Sequence, residues 1–289
     1  MSKKAKLITG ITIFVGLIAL ATKLILLKGS FKLPFKFYVL FGILAVATFG
    51  FYKKIYWLRY VTLISSLAYL GFYQGSCLCS TGSLESIFMY LGMGRYSNIG
   101  VSLFRLAILT GIVFFFGNIF CGWVCHKGAV QEFLYRESFA IRVPQKLDNI
   151  LKKFRYFFLF LIIFYPIIKE HRIFNKMDPF KVLFNLEGTT LLVILLVILL
   201  VSSIFIYRPF CRYVCPLGAL LGIINKIGFF NIKLKKPERC IHKNICEKKC
   251  PAQTLTMKEV PEINKEYCFS CLECERRCPM HCLDCEKAF

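Results

Sequence analysis

The sequence of 289 residues lacks the signatures of several large enzyme classes. No G-x-G-x-x-G or G-x4-G-K-[ST] loop opens a helix after a strand, so a nucleotide-phosphate site is not indicated. No order of Ser, His and Asp suggests a hydrolase. Histidine occurs only four times and C-x-x-C-H is absent, which gives a haem protein little support. These absences direct attention to cysteine, which occurs 15 times.

Acidic residues are also scarce, with 16 Asp and Glu against 38 Lys and Arg and a formal net charge of +22. The segment 236–289 is nearly neutral, so the excess lies in the first 235 residues. No basic stripe on a soluble face is visible, and we therefore expect no nucleic-acid partner. Cations that flank apolar runs instead favour the anionic headgroups of membrane lipids.

Apolar residues are abundant, at 57% of the chain with a mean hydropathy of +0.60. About 20 apolar residues cross a bilayer. The predicted spans are 7–27, 37–51, 58–73, 100–119, 154–168 and 190–207. Six spans place both termini on the same side of the membrane. The distribution of Lys and Arg between the loops predicts that this is the cytoplasmic side. The sequence thus predicts a mostly α-helical, multi-pass protein of the cell membrane.

Three regions follow from this pattern. Residues 1–57 form an N-terminal two-span extension, 58–235 a transmembrane core, and 236–289 a small cytoplasmic ferredoxin-like domain of α+β type. Nine of the cysteines lie in this last region. Their spacing decides whether it is a disulfide scaffold or a metal-binding domain.

The run "CFSCLECERRCP" matches the ferredoxin pattern C-x2-C-x2-C-x3-C-P in full. In two-cluster ferredoxins the fourth cysteine of each run binds the cluster of the other run. The predicted ligands of one complete [4Fe–4S] cluster are therefore Cys250, Cys268, Cys271 and Cys274. Zinc is the alternative, since four closely spaced cysteines also suit a tetrahedral site.

The first run, "CIHKNICEKKCP", has lysine where the second cysteine is expected. A lysine ammonium has no lone pair for iron. The second cluster would therefore draw on Cys240, Cys246 and Cys278 and lack one ligand at Lys243. Three cysteines suit a [3Fe–4S] cluster. A substitute ligand is the alternative, and the candidates are His242, His281, Cys282 and Cys285. The last two cysteines are otherwise free thiols near the C-terminus.

A repeat occurs upstream, where "FCGWVCHKGA" begins at Phe120 and "FCRYVCPLGA" begins at Phe210. Each copy directly follows an apolar run, so both are expected at the same membrane face. Its cysteines, Cys121, Cys125, Cys211 and Cys215, form a candidate membrane-face metal site. Iron–sulfur ligation, another metal and thiol chemistry all remain open, and close helix packing by small buried cysteines is the structural alternative. A fainter copy, "CLCSTGSLE", places Cys77 and Cys79 on the opposite face, where ligation and packing are equally open.

With these motifs the chain resembles the membrane-bound ferredoxin-type proteins of the NapH/NosR/CcoG group. The resemblance covers residues 58 to 280 and rests on both C-x3-C motifs and on the cysteine runs at 240–278. It departs at His126, where the group has proline, at Lys243, and in the two additional N-terminal spans.

The resemblance implies an electron-transfer protein that relays electrons from a quinol to a partner redox protein, as a candidate quinol dehydrogenase subunit. Two other functions stay open. One is a metal-handling factor in oxidase assembly, and the other is a redox-sensing membrane regulator. No residue of the sequence marks a bond-making catalytic site.

Overall fold

The computed structural model describes residues 35–75, 80–96, 99–234, 245–257, 261–279 and 283–286. Helix dominates this part of the chain, as expected. The longer helices are Phe35–Lys53, Tyr56–Ser66, Ser80–Gly92, Gly100–Phe116, His126–Leu134, Gln145–Lys169, Thr190–Phe205 and Pro216–Ile227. The short helices are Phe174–Met177, Pro179–Asn185, Pro209–Tyr213, Ile245–Lys248 and Glu273–Arg276. Three of these thirteen helices begin with proline, whose fixed φ suits the first helical position.

Two π-helices interrupt this pattern, at Leu67–Tyr73 and Phe120–Val124. The first continues directly from the helix Tyr56–Ser66, and the second carries the first cysteine of the repeat. Short 3-10 helices lie at Glu137–Phe139 and Lys265–Tyr267. π-helical turns are rare and often occur at functional sites.

Four short strands form two antiparallel pairs. Asn231–Leu234 pairs with Leu283–Glu286, so that Ile232 lies opposite Cys285. Leu255–Met257 pairs with Pro261–Ile263. The first pairing joins the end of the helical core to the last strand described in the C-terminal region.

The prediction of a six-span transmembrane bundle is wrong for the described residues. No single helix among them is both long enough and apolar enough to cross a membrane. One pair of helices, Pro179–Asn185 and Thr190–Phe205, meets the length and composition criteria together, but the pair is bent by 96°. The first predicted span, 7–27, lies outside the described residues.

The apolar runs are divided or shortened in identifiable ways. The run 100–119 stops at Phe116 because Gly117 leaves the helix with φ of 84°. The run 154–168 belongs to a helix whose first half is charged and which contains Pro166. The run 58–73 contains a buried arginine, Arg59, and turns from α to π geometry. Apolar composition alone did not show these breaks.

The hydrophobic core is continuous from the first helices to the C-terminal region. Trp123 belongs to it and is fully buried, with its ring 5.9 Å from that of Phe51. Phe51 in turn packs 5.9 Å from Phe230. Because this core includes cysteines of the repeat and of the tail, both groups lie within one packed body.

Candidate metal centres

The two copies of the C-x3-C motif have nearly the same backbone. The second cysteine of each precedes a helix, with φ and ψ of −66° and 112° at Cys125 and −64° and 113° at Cys215. Cys125 N donates to Phe120 O at 2.8 Å, and Cys215 N donates to Phe210 O at 2.9 Å. The repeat is therefore a structural duplication, in which each copy places one thiol at a helix N-terminus.

Backbone donors approach these two thiols in the same way. Gly218 N donates to Cys215 Sγ at 3.4 Å, and Gly128 N donates to Cys125. The positive end of the following helix points at the sulfur in each copy. Both features favour a thiolate over a thiol.

The two copies bring their cysteines together. The thiol of Cys211 donates a hydrogen bond to Cys125, which lowers the pKa of Cys125 to about 6 despite its burial. The same contact, together with burial, raises the pKa of Cys211 well above its usual value. Cys121 and Cys215 lie close enough to interact with this pair electrostatically. Four sulfurs from two distant sequence positions thus converge, and what they bind stays a prediction.

The first copy also supplies polar groups to this cysteine group. Gln131 Nε2 donates to Cys211 Sγ at 3.4 Å, and its Oε1 accepts from Phe210 N at 2.9 Å. Lys127 forms a buried ion pair with Asp178. Burial lowers the pKa of His126 to about 3, with a further contribution from Lys127, so His126 is neutral at physiological pH.

A buried charge network lies beside the same cysteines. The carboxylate of Glu132 accepts from Arg59 Nη2 at 2.7 Å, from Arg208, and from Tyr207 Oη at 3.1 Å. Arg208 also donates to the carbonyl oxygen of Cys121. Two guanidinium groups and one carboxylate leave a net positive charge in the interior, which stabilises nearby thiolates.

The predicted tail ligands also lie together. Cys250, Cys268, Cys271 and Cys274 line one cavity, whose other walls include Phe230 and Leu255. Ser270 N donates to Cys268 Sγ at 3.4 Å. Burial raises the pKa of Cys268, and it raises that of Cys271 to about 11 although Arg59 acts in the opposite direction. Binding a metal centre here would therefore require loss of thiol protons.

The second tail site is only partly described. Cys246 and Cys278 are both buried. Cys240, Lys243 and Cys282 lie outside the described residues, as do His242 and His281. Cys285 belongs to the strand Leu283–Glu286, where it lies opposite Ile232 of the paired strand. The identity of the fourth ligand therefore stays a prediction, and so does the role of Cys77 and Cys79, which also lie outside the described residues.

The duplicated motif and the tail meet through backbone atoms. A side chain at Gly122, directly after Cys121, would overlap the carbonyl oxygen of Phe269, directly after Cys268. Trp123 Nε1 donates to Ser270 O at 3.1 Å. Asn118 Nδ2 donates to the carbonyl oxygen of Cys268 itself at 2.8 Å. The loop that carries Cys268 and Cys271 is thus fixed to the π-helix that carries Cys121.

The donor set of each cysteine group fits a cluster and also fits zinc, because both are bound by four thiolates. Among the described residues, no group of three or more His, Cys, Asp or Glu side chains is arranged to hold a single metal ion.

Comparison with known proteins supports this chemistry. A family model described as a 4Fe-4S binding domain matches twice, at residues 98–148 and 188–237, and each match contains one C-x3-C motif. An uncharacterised protein of Methanocaldococcus jannaschii is 29% identical over 243 residues, covering 82% of this chain and 98% of the relative. No solved structure is significantly similar to the chain.

Two further relatives have descriptive names. The ferredoxin-type protein NapH of Haemophilus influenzae is 27% identical over 226 residues, covering 72% of this chain and 76% of the relative. The regulatory protein NosR of Stutzerimonas stutzeri is 28% identical over 243 residues, covering 77% of this chain and 33% of NosR. The matches define an iron–sulfur electron-transfer protein of the ferredoxin type. Within that class, these similarities confirm the resemblance to the NapH/NosR group that the motifs indicate.

Proposed function

We propose that this protein carries electrons between two buried iron–sulfur centres, one held by the duplicated motif and one by the tail. The observation that supports this most directly is the contact between Gly122 and the Phe269 carbonyl. It joins residues that directly follow Cys121 and Cys268. The backbones of the two cysteine-bearing segments approach closely at this point, which suits electron transfer between them.

Each proposed centre has a defined set of residues. Cys121, Cys125, Cys211 and Cys215 would hold one [4Fe–4S] cluster, and Cys250, Cys268, Cys271 and Cys274 a second. A third would use Cys240, Cys246 and Cys278, with Cys282 or Cys285 as fourth ligand or with three irons only. When bound, such clusters accept and release single electrons.

The protein's own part is to set the environment of those centres. Arg208 and Arg59 place positive charge near the repeat and tail cysteines respectively. Backbone N–H groups of Gly218 and Ser270 donate to ligand sulfurs. Hydrogen bonds to the sulfurs and net charge are the main means by which a protein tunes cluster potential. Both favour the reduced, more negative state.

We further propose that the chain works at a membrane, takes electrons from quinol and passes them to a protein redox partner, with the tail on the cytoplasmic side. Large apolar side chains are exposed along two of the helices. On Thr190–Phe205 these include Leu191 at 65% and Ile198 at 60% exposure, and on Gln145–Lys169 they include Ile168 at 73%. Apolar faces of this extent favour contact with lipid or with a partner.

A redox-sensing function is the second candidate, since a relative bears the name regulatory protein NosR. The two candidates differ in their response to quinol. A relay protein would be reduced by a quinol analogue within seconds and reoxidised by its partner. A sensor would show no such reduction and would lose its cluster in air.

Anaerobic purification with iron and sulfide counting, combined with EPR, tests the proposal. Each cubane contributes four irons, so three centres require about eleven or twelve per chain, depending on the incomplete tail site. About eight would leave one proposed centre empty, and Cys→Ser variants in each group would show which. A count near four would contradict a relay of two centres.

A further inference from the structure

We propose that the protein binds a small oxyanion, carrying phosphate or carboxylate groups, in a basic cavity that is lined by Arg212 and Cys250. The cavity has a volume of about 210 Å³. Its charged lining residues are Arg142, Arg212, Lys248, Lys249 and Glu137. It is separate from the cavity lined by the four tail cysteines, although Cys250 belongs to both.

The lining carries four cations and one carboxylate. The carboxylate is already neutralised, because Glu137 accepts from Arg277 Nη1 at 2.8 Å and lies 3.6 Å from Lys249 Nζ. Repulsion of an incoming anion by Glu137 is thereby reduced. A concave site with this excess of positive charge attracts anions and holds them by charge-assisted hydrogen bonds.

Arg212 is the buried cation of the lining. Its side chain is 3% exposed, and Nη2 contacts Asp148 Oδ2 at 2.7 Å and Gln253 Oε1 at 2.8 Å. These contacts fix the orientation of the guanidinium group at the wall of the cavity.

The position of the cavity suggests that a bound anion would change the midpoint potential of a nearby centre. Arg212 directly follows Cys211, and Cys250 itself lines the cavity. A bound anion would therefore lie near both proposed centres and would disfavour their reduction. Binding would lower the midpoint potential of the nearer centre. By the same linkage, an anion that binds the oxidised state tenfold more tightly than the reduced state lowers the midpoint potential by about 59 mV for one electron.

Calorimetric titration of the anaerobically purified full chain with inorganic phosphate, at constant ionic strength set by chloride, tests the binding. The double variant Arg142→Gln/Lys249→Gln removes two lining charges on exposed side chains. The matched control, Lys146→Gln/Lys153→Gln, removes two exposed charges outside the lining. Phosphate should bind the native chain and the control alike, and the cavity variant at least about tenfold more weakly, since charged hydrogen bonds are lost.

Absence of binding at millimolar phosphate, or equal weakening in both double variants, would overturn the site. A repeat in lipid discs with neutral or anionic lipid identifies the source of the phosphate group. Competition by the anionic lipid would assign the cavity to a headgroup, and no competition to a soluble molecule. The potential shift depends on the proposed clusters, whereas phosphate binding does not. A potential that does not move in EPR redox titration would therefore overturn the redox link alone.

Discussion

The two copies of the C-x3-C motif present their cysteines on the same backbone, yet their surroundings differ in polarity. Lys127, Gln131 and Glu132 in the first copy correspond to Leu217, Leu221 and Gly222 in the second. The first set supplies an ion pair, a donor to the sulfur of Cys211 and the carboxylate of a buried charge network. The second set is apolar. The duplication preserved the backbone that presents the cysteines, whereas the polar groups around them come mainly from one copy.

The copies also differ in how they attach to the rest of the molecule. Gly122 in the first copy touches the tail through its backbone. The corresponding residue of the second copy is Arg212, whose side chain contacts Asp148 on the helix Gln145–Lys169 and Gln253 in the tail. Gly222 of the second copy also approaches the tail, at the carbonyl of Glu266. Both copies therefore dock the tail, the first through its backbone at Gly122 and the second also through a side chain.

Replacing one proposed ligand in each copy tests whether Cys125 and Cys215, which have the same backbone conformation, are also equivalent in binding a centre. Cys125→Ser and Cys215→Ser should each remove a whole centre, about four irons per chain, because all four sulfurs are needed for one cubane. Iron and sulfide counting with EPR measures the loss, and Cys268→Ser, which should leave the repeat centre in place, is the control. An iron loss in only one of the two repeat variants would show that the copies do not share a centre.

Much of this site was predictable from the sequence because cysteine spacing reports it directly. The repeat predicted that Cys121, Cys125, Cys211 and Cys215 would converge, and the structure brings them together. The run from Cys268 predicted its association with Cys250 across 18 residues. In each case a local pattern fixes the backbone, and the backbone places the sulfurs.

The charge network and the span pattern were not predictable in the same way. Arg59, Glu132 and Arg208 are distant in sequence, and nothing near them indicates that they meet. The six-span prediction failed because hydropathy averages over breaks such as Gly117 and Pro166, and over buried charges such as Arg59. One signal for the network is Arg59 itself, since an arginine inside an apolar run needs a buried partner.

Making the first copy apolar, as the second is, should destabilise the protein. Lys127→Leu leaves Asp178 buried without its ion-pair partner, and loss of one member of such a pair costs about 3–5 kcal/mol. Thermal unfolding measures the change. The double variant Lys127→Leu/Asp178→Asn should recover part of the loss, because the remaining charge is gone. If Lys127→Leu is as stable as the native chain, the polarity of the first copy has no structural importance.

The docking difference is tested by adding a methyl group at Gly122. Gly122→Ala would overlap the Phe269 carbonyl, and displacement of backbone costs about 1–3 kcal/mol. Electron transfer between the proposed centres, followed by rapid-mixing spectroscopy, should slow as the tail is displaced. Gly42→Ala is the matched control, since a methyl group there meets nothing within 4 Å. Equal rates in both variants would rule out the Gly122 contact as the route between the centres.

The ion pair of Arg212 with Asp148, which attaches the second copy to the helix Gln145–Lys169, should make the stability of the protein depend on pH. Burial alone would raise the pKa of Asp148, but hydrogen bonds from Lys152 and Arg212 hold it below its usual value. A carboxyl whose pKa is lower in the folded state stabilises the fold above its unfolded pKa of about 3.9, and this stabilisation is lost as the pH falls below that value. Denaturant unfolding between about pH 6 and pH 3 should therefore show a steeper loss of stability for the native chain than for Asp148→Asn. Glu187→Gln, at an exposed position, should follow the native curve. Parallel curves for Asp148→Asn and the native chain would show that the ion pair of Arg212 with Asp148 contributes nothing to stability.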